Sequence, residues 1–320
     1  MSFPDGSPGH YSAPGRVAPG GTSGYDGAML RLATATAVAV ALATATASAQ
    51  LPDPLHPGQP ELVRAELLCD AASIQPGSTV RLGVHLTIKE GWHVNWINPG
   101  DAGLAPSIAW KLPSGFKAGI VQWPLPERFV TGPLVIFGYA GDVVLVSDVH
   151  VPAEVPVGGN IDLVADVSWL ACADECIPGA ASVKLTLPVE KTARPDAASR
   201  SRLDATEALW PGHSLAWKLD AWIEEENTIV IEVQSGDPGA TALPDLFYFP
   251  YDPGLIENAA PQPLSAHPGP GGTVYQLRIT RARMPAAELT RAYGLLVASS
   301  GLGRAAGPAA IEINVPIERR

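Results

Sequence analysis

Positive charge is scarce in this chain of 320 residues: 21 Lys and Arg stand against 32 Asp and Glu, a formal net charge of −11. Non-specific nucleic-acid binding and docking on anionic lipid both need a basic face, so neither is expected. Cysteine is scarcer still, and three cysteines exclude a scaffold stapled by several disulfides. The sequence has no C-x-x-C-H haem attachment, no Cys/His set at zinc spacing and no thioredoxin-type C-x-x-C on a βαβ unit, so no metal and no cofactor is expected. A phosphate loop, a GxSxG elbow and a paired-carboxylate pattern are also missing. Long helices are disfavoured, because 32 Gly and 32 Pro interrupt the chain.

Apolar residues are plentiful, at 46%, so the chain can bury a core, and its length suits two domains. One apolar run stands apart. Leu32 to Ser48 is almost wholly Ala, Thr, Val and Leu, follows Arg31, and ends in Ala47-Ser48-Ala49 before Gln50. It reads as a signal peptide with h-region 32–48, cleaved after Ala49. A retained membrane anchor is the alternative, but the run is short and threonine-diluted for a stable span. With cleavage, no stable membrane insertion remains. Residues 1–28 are Gly/Pro/Ser-rich and read as a disordered extension, with Met29 an alternative start. The expected compartment is periplasmic or secreted, where disulfides persist.

Residues 50–60 form a Pro-rich leader. Beyond it, strand-like runs recur between turn signals: Glu61 to Leu68, Thr79 to Ile88, Val143 to Val151, Asn160 to Trp169 and Ala181 to Val189. In Val80 to Ile88 the even positions are apolar, the period of a half-buried strand. Residues 61–190 are expected to form an antiparallel β-sandwich. Residues 191–205 read as a linker with a short helical turn. Strands recur at Leu215 to Leu219, Thr228 to Gln234, Leu246 to Tyr251, Thr273 to Thr280, Tyr293 to Ala298 and Ile311 to Pro316, giving a second, smaller β-sandwich over 206–320. Pro261 to Gly272 reads as a surface loop. The fold class is therefore all-β.

Trp169-Leu170-Ala171-Cys172-Ala173-Asp174-Glu175-Cys176-Ile177-Pro178 is the segment that asks for chemistry. A straight strand would hold the two cysteines ~13 Å apart, too far for a disulfide. A hairpin with Ala173, Asp174 and Glu175 as its loop would bring them face to face, and one helical turn would bring them within ~6 Å. The β pattern around them favours the hairpin. Closing so small a ring removes only about 2 kcal/mol of chain entropy, a poor staple. Asp174 and Glu175 disfavour a nearby thiolate. Such a pair suits exchange with a docked partner, and a local structural bridge is the competing reading.

Three segments resemble the N-terminal domain of the DsbD/ScsB-type thiol:disulfide interchange proteins. They are Gly91-Trp92-His93-Val94-Asn95-Trp96-Ile97-Asn98-Pro99-Gly100-Asp101-Ala102-Gly103, then Gln122 to Phe129 followed by Phe137-Gly138-Tyr139, then the Trp169 to Pro178 block. The resemblance implies an immunoglobulin-like sandwich whose exchanging pair is Cys172 and Cys176. It puts Phe129 at the cap that shields the disulfide, and His93, Asn95, Trp169 and Tyr139 in the site's surroundings. It also implies partners: a separate membrane electron donor of the DsbD/CcdA kind and periplasmic thioredoxin-like acceptors, in work such as cytochrome c biogenesis. The family's membrane and thioredoxin-like domains have no counterpart in this sequence.

Cys69 reads as a buried small hydrophobe. Trp92, Trp96, Trp110, Trp123 and Trp169 read as core. His85 and His93 have no companions at metal spacing. Two functions stand: a protein-disulfide reductase-type electron relay through Cys172–Cys176, or a non-enzymatic secreted β-sandwich binding protein in which that bond is structural.

Overall fold

The computed structural model describes residues 61–212, 217–235, 243, 245–270, 272–283, 288–298 and 309–319. The signal peptide, extension and leader expected over 1–60 lie outside the described residues. The first part of the chain carries β1 Val63–Cys69, β2 Ala71–Ser73, β3 Thr79–Ile88, β4 His93–Gly100, β5 Ser107–Lys111 and β6 Lys117–Ala118. It continues with β7 Glu127–Thr131, β8 Leu134–Tyr139, β9 Asp142–His150, β10 Asn160–Cys172, β11 Cys176–Pro188 and β12 Arg194–Pro195. One helix follows, α1 Ala197–Glu207. Then come β13 Trp217–Glu224, β14 Thr228–Ser235, β15 Phe247–Pro250, β16 Leu264–Gly269, β17 Gly272–Thr280, β18 Arg291–Val297 and β19 Ala310–Arg319.

Two antiparallel sheets form the first sandwich. One runs β1-β3-β9-β6 and the other β11-β10-β4-β8-β7, with β5 pairing along the same edge of β10 that β4 meets. The period-2 pattern of the sequence is realised directly: Val80, Leu82, Val84, Leu86 and Ile88 of β3 are all buried. They face Leu163, Ala165, Val167 and Trp169 of β10 in one core. Cys69 is buried, as expected, and burial pushes its thiol up to about 12. Trp96 and Trp169 lie in that core, and Trp92, Trp110 and Trp123 pack against it half-buried.

The second β unit is a single seven-stranded sheet, β15-β18-β19-β13-β14-β17-β16. Its halves meet through a parallel pair, Ala221 to Ile223 of β13 against Ile317 to Arg319 of β19, while its other pairs are antiparallel. Both halves supply one core, with Ile231 and Leu277 from one and Leu296 and Ile313 from the other. The stretch read as a surface loop, Pro261 to Gly272, contains β16, an edge strand paired to β17. An edge position tolerates its Pro268, which has no N–H to donate.

The two units share apolar surface. Phe249 and Leu295 of the second belong to the first sandwich's core. The Phe249 ring lies 4.9 Å from Phe137 and 6.2 Å from Trp96, both edge-on, and Tyr251 lies 5.3 Å from Trp96.

Within the span read as a linker, α1 starts at Asp196, whose carboxylate accepts from the Ser199 N–H at 2.7 Å. Its Leu203 is fully buried against Leu68, Val144 and Val146. Arg81 of β3 grips its outer face through Asp204 at 2.7 Å and Glu207 at 2.8 Å. Arg202 reaches Glu66 of β1 at 2.7 Å. Among the described residues no helix is long and apolar enough to cross a membrane.

His85 sits inside this polar seam. Its ring nitrogens lie 2.6 Å from Glu66 and 2.8 Å from Asp142, so both donate only when the ring is an imidazolium. Burial pushes the Glu66 carboxyl up, but His85 and Arg202 outweigh it and hold it below its ordinary value. The Thr87 hydroxyl and the His85 ring hold Asp142 down. Carboxylates depressed in the folded state stabilise it above their unfolded pKa, and that stability is lost as pH falls through the folded values. Thermal unfolding followed by circular dichroism is therefore expected to show a midpoint that falls below about pH 4. The fall is shallower in His85→Ala.

Candidate functional site

β10 and β11 form one long hairpin in register from Asn160 opposite Pro188 to Cys172 opposite Cys176. The loop is Ala173, Asp174 and Glu175, closed by the Ala173 N–H donating to the Glu175 carbonyl at 2.9 Å. Cys172 and Cys176 are joined by a disulfide across the tip, with Cα atoms 4.1 Å apart. Alternation along β10 turns Leu163, Ala165, Val167, Trp169 and Ala171 toward the core. Cys172 therefore points to the other face of the sheet. The two sulfur-bearing residues differ: Cys172 is 3% exposed, whereas Cys176 is exposed, as are Asp174 and Glu175 beside it.

On the other side of β10, Cys172 is paired opposite His93 of β4. Directly opposed residues present their side chains on the same face, so His93, Cys172 and Cys176 form a row across three strands. The His93 ring stacks on Phe129 of β7 with centroids 4.8 Å apart and planes 12° from parallel. His93 is buried, and its Nε2 has no hydrogen-bond partner among the described residues. Burial lowers its pKa, which keeps the ring neutral near pH 7.

Asn95 lies two residues along β4 on the same face and is wholly buried. Its amide donates to the Ala102 carbonyl at 3.3 Å, so it underlies the loop that follows β4. That loop needs two glycines. Gly100 (φ +82°) would place a Cβ 2.3 Å from the Val135 carbonyl, and at Gly103 (φ +107°) a Cβ would lie 2.4 Å from the Asn95 side chain.

Trp169 and Tyr139 sit on the opposite, core-facing side of the sheet from Cys172. Trp169 is paired opposite Gly179, directly behind the hairpin tip. Tyr139 donates its hydroxyl to the Pro124 carbonyl at 2.8 Å and so anchors the segment leading into β7. Burial raises its pKa well above the ordinary phenol value. The site thus brings together Cys172, Cys176, His93 and Phe129. Asn95 supports a neighbouring loop, and Trp169 and Tyr139 support the sheet from behind.

Three further residues of the Gly91 to Gly103 and Gln122 to Phe129 segments, which no sequence pattern marked as functional, connect this site to the second unit. Asn98 of β4, 1% exposed, donates to the Pro250 carbonyl at 2.7 Å and the Asp252 carbonyl at 3.3 Å. Asp101 accepts from the Asn258 amide at 2.8 Å. Arg128, next to Phe129, lies over the Phe247 ring at 5.9 Å and donates to the Asn258 carbonyl at 3.5 Å. Asn98 and Asp101 stand in the Gly91 to Gly103 motif, and their partners lie more than 150 residues away.

Fold and site together define a class: a β-sandwich that carries a disulfide across a hairpin tip, beside a buried histidine and an aromatic ring. Residues 59–188 match the family model described as thiol:disulfide interchange protein DsbD, N-terminal. The N-terminal periplasmic domain of ScsB from Proteus mirabilis has a similar fold, with a TM-score of 0.55 and 16% identity over 85% of this chain and 98% of that one. A protein of unknown function from Porphyromonas gingivalis W83 aligns over 80% of this chain and 99% of that one at 15% identity, with a TM-score of 0.22. No curated protein matches the chain. The family model thus covers the three sequence segments, and residues 59–188 resemble a thiol:disulfide interchange domain of the DsbD N-terminal type. Such a domain implies thiol-redox partners in general and fits an extracytoplasmic location.

Proposed function

We propose that this protein relays electrons between extracytoplasmic proteins by thiol–disulfide exchange at Cys172–Cys176. The observation that carries the reading is the asymmetric disulfide: one cysteine exposed at a hairpin tip, the other buried beside a neutral histidine. A partner thiolate attacks the Cys176 sulfur, the Cys172–Cys176 bond breaks, and Cys172 leaves as a thiolate that takes up a proton. His93, opposite Cys172, is the group placed to handle that proton. The partner's second thiolate then attacks its own sulfur in the mixed disulfide and releases Cys176. Two electrons and two protons have moved to this chain, and the partner holds the new disulfide. The reverse sequence reduces an oxidised acceptor.

The donor this reading calls for is a membrane protein of the DsbD/CcdA kind, and the acceptors are thioredoxin-like proteins. Residues 61–190 are the redox module, and residues 206–320 buttress it. Phe129 covers the site by stacking on His93. The reading is tested by the rate at which glutathione reduces the folded protein, quenched by acid and resolved by mass spectrometry. Phe129→Ala is expected to speed reduction by about threefold or more without unfolding the domain, because removing the ring opens the site. An unchanged rate removes Phe129 from the cap role.

A further inference from the structure

β7 lies between two neighbours. Phe129 turns one way, onto His93 of the site. Arg128, the adjacent residue, turns the other way onto the second unit, with its guanidinium 5.9 Å from the Phe247 ring centroid. Asn258 holds both arms of the β7–β8 hairpin. Its backbone carbonyl accepts from Arg128 of β7 at 3.5 Å. Its side-chain amide donates to one carboxylate oxygen of Asp101 at 2.8 Å. The other Asp101 oxygen accepts from the Val135 N–H of β8 at 2.7 Å, and the Asp101 N–H donates to the Val135 carbonyl at 2.8 Å. Val135 in turn is paired opposite Val130, the residue after Phe129. Asn258 is 5% exposed. A buried amide spent on a carboxylate fixes geometry, because leaving either partner unpaired there costs free energy.

We infer that Asn258 is a positioning residue for exchange: through Asp101 it holds the β7–β8 hairpin against the sheet and so sets how often Phe129 leaves His93 and uncovers the disulfide. The inference rests on the exchange reading above. It gives the second β unit a part in the chemistry at a site to which it contributes no reacting atom.

The contact between Asn258 and Asp101 can be inverted. Asn258→Asp alone sets two carboxylates against each other and releases the hairpin. Asn258→Asp combined with Asp101→Asn restores one donor and one acceptor, and the new amide still offers its oxygen to the Val135 N–H. The measurement is the rate of reduction of the folded protein by dithiothreitol, with thermal stability followed in parallel. Asn258→Asp is expected to speed reduction about three- to tenfold, the effect of one lost buried hydrogen bond on the open population. The double exchange returns the rate to that of the unaltered protein. In a Phe129→Ala background Asn258→Asp adds little, because the cap is already gone. Asn258→Asp with lowered stability and an unaltered rate overturns the inference, as does an acceleration that persists in full without Phe129. A disulfide that dithiothreitol reduces only on unfolding, in every variant, overturns the exchange reading and this inference together.

Discussion

In the fully reduced, folded protein, Cys176 is expected to react with iodoacetamide at least about tenfold faster than Cys172. Alkylation reads the thiolate and its access, and burial opposes both. Cys176 is exposed at the end of β11, whereas Cys172 is 3% exposed, between its hairpin partner and His93. Cys69 supplies an internal standard, because burial pushes its thiol up to about 12 and no exchange role is expected of it. The order of modification should be Cys176, then Cys172, with Cys69 modified only on unfolding. Timed alkylation with peptide mass spectrometry reads all three at once. If Cys172 reacts first, the attack is misassigned and the relay runs through the other sulfur.

Phe249→Ala is expected to lower stability by about 3–5 kcal/mol, the usual cost of emptying a buried phenylalanine site. Phe249 comes from the second unit, yet its ring is buried in the first unit's core, against Phe137 and Trp96. Trp96 lies on β4, the strand that carries His93, and Phe137 lies on β8, between β4 and the Phe129 strand β7. Chemical denaturation should show a single transition displaced to lower denaturant. A loss below about 1 kcal/mol would mean that the units do not share a core, because a surface substitution typically costs under that.

The hairpin that carries the cysteines was legible in the sequence because its chemistry is local. A disulfide four residues apart needs a turn, and the alternation on either side marks two strands. The strands of the first sheet were legible for a similar reason, since β3 alternates between apolar residues in the core and more polar ones, Thr79, Arg81, His85 and Thr87, on its other face. β4 was not. From His93 to Trp96 every residue is buried, with Val94 and Trp96 toward the core and His93 and Asn95 under the β7 strand and the Ala102–Gly103 loop. A strand covered on both faces loses the period of two. β7 fails in the opposite way: Glu127, Arg128, Val130 and Thr131 are exposed, leaving Phe129 as its one inward anchor. The contacts of Asn98, Asp101 and Arg128 with Pro250, Phe247 and Asn258 were invisible for a third reason. Pairings across more than 100 residues leave no local pattern, and the polar Asn-Pro-Gly-Asp run reads as an ordinary turn. The motif marked the segment as special, but only the fold shows that its polar residues face the second unit.

An electron relay requires Cys172–Cys176 to be an exchangeable pair. Its most direct test is the reduction potential of the folded protein, taken by equilibration in glutathione or dithiothreitol buffers with alkylation and mass spectrometry at each point. Reversible reduction is expected well above about −300 mV, with the β-sheet circular dichroism unchanged. A value far below that, or reduction that occurs only as the sheets unfold, would make the bond a structural bridge and the protein a two-unit binding scaffold.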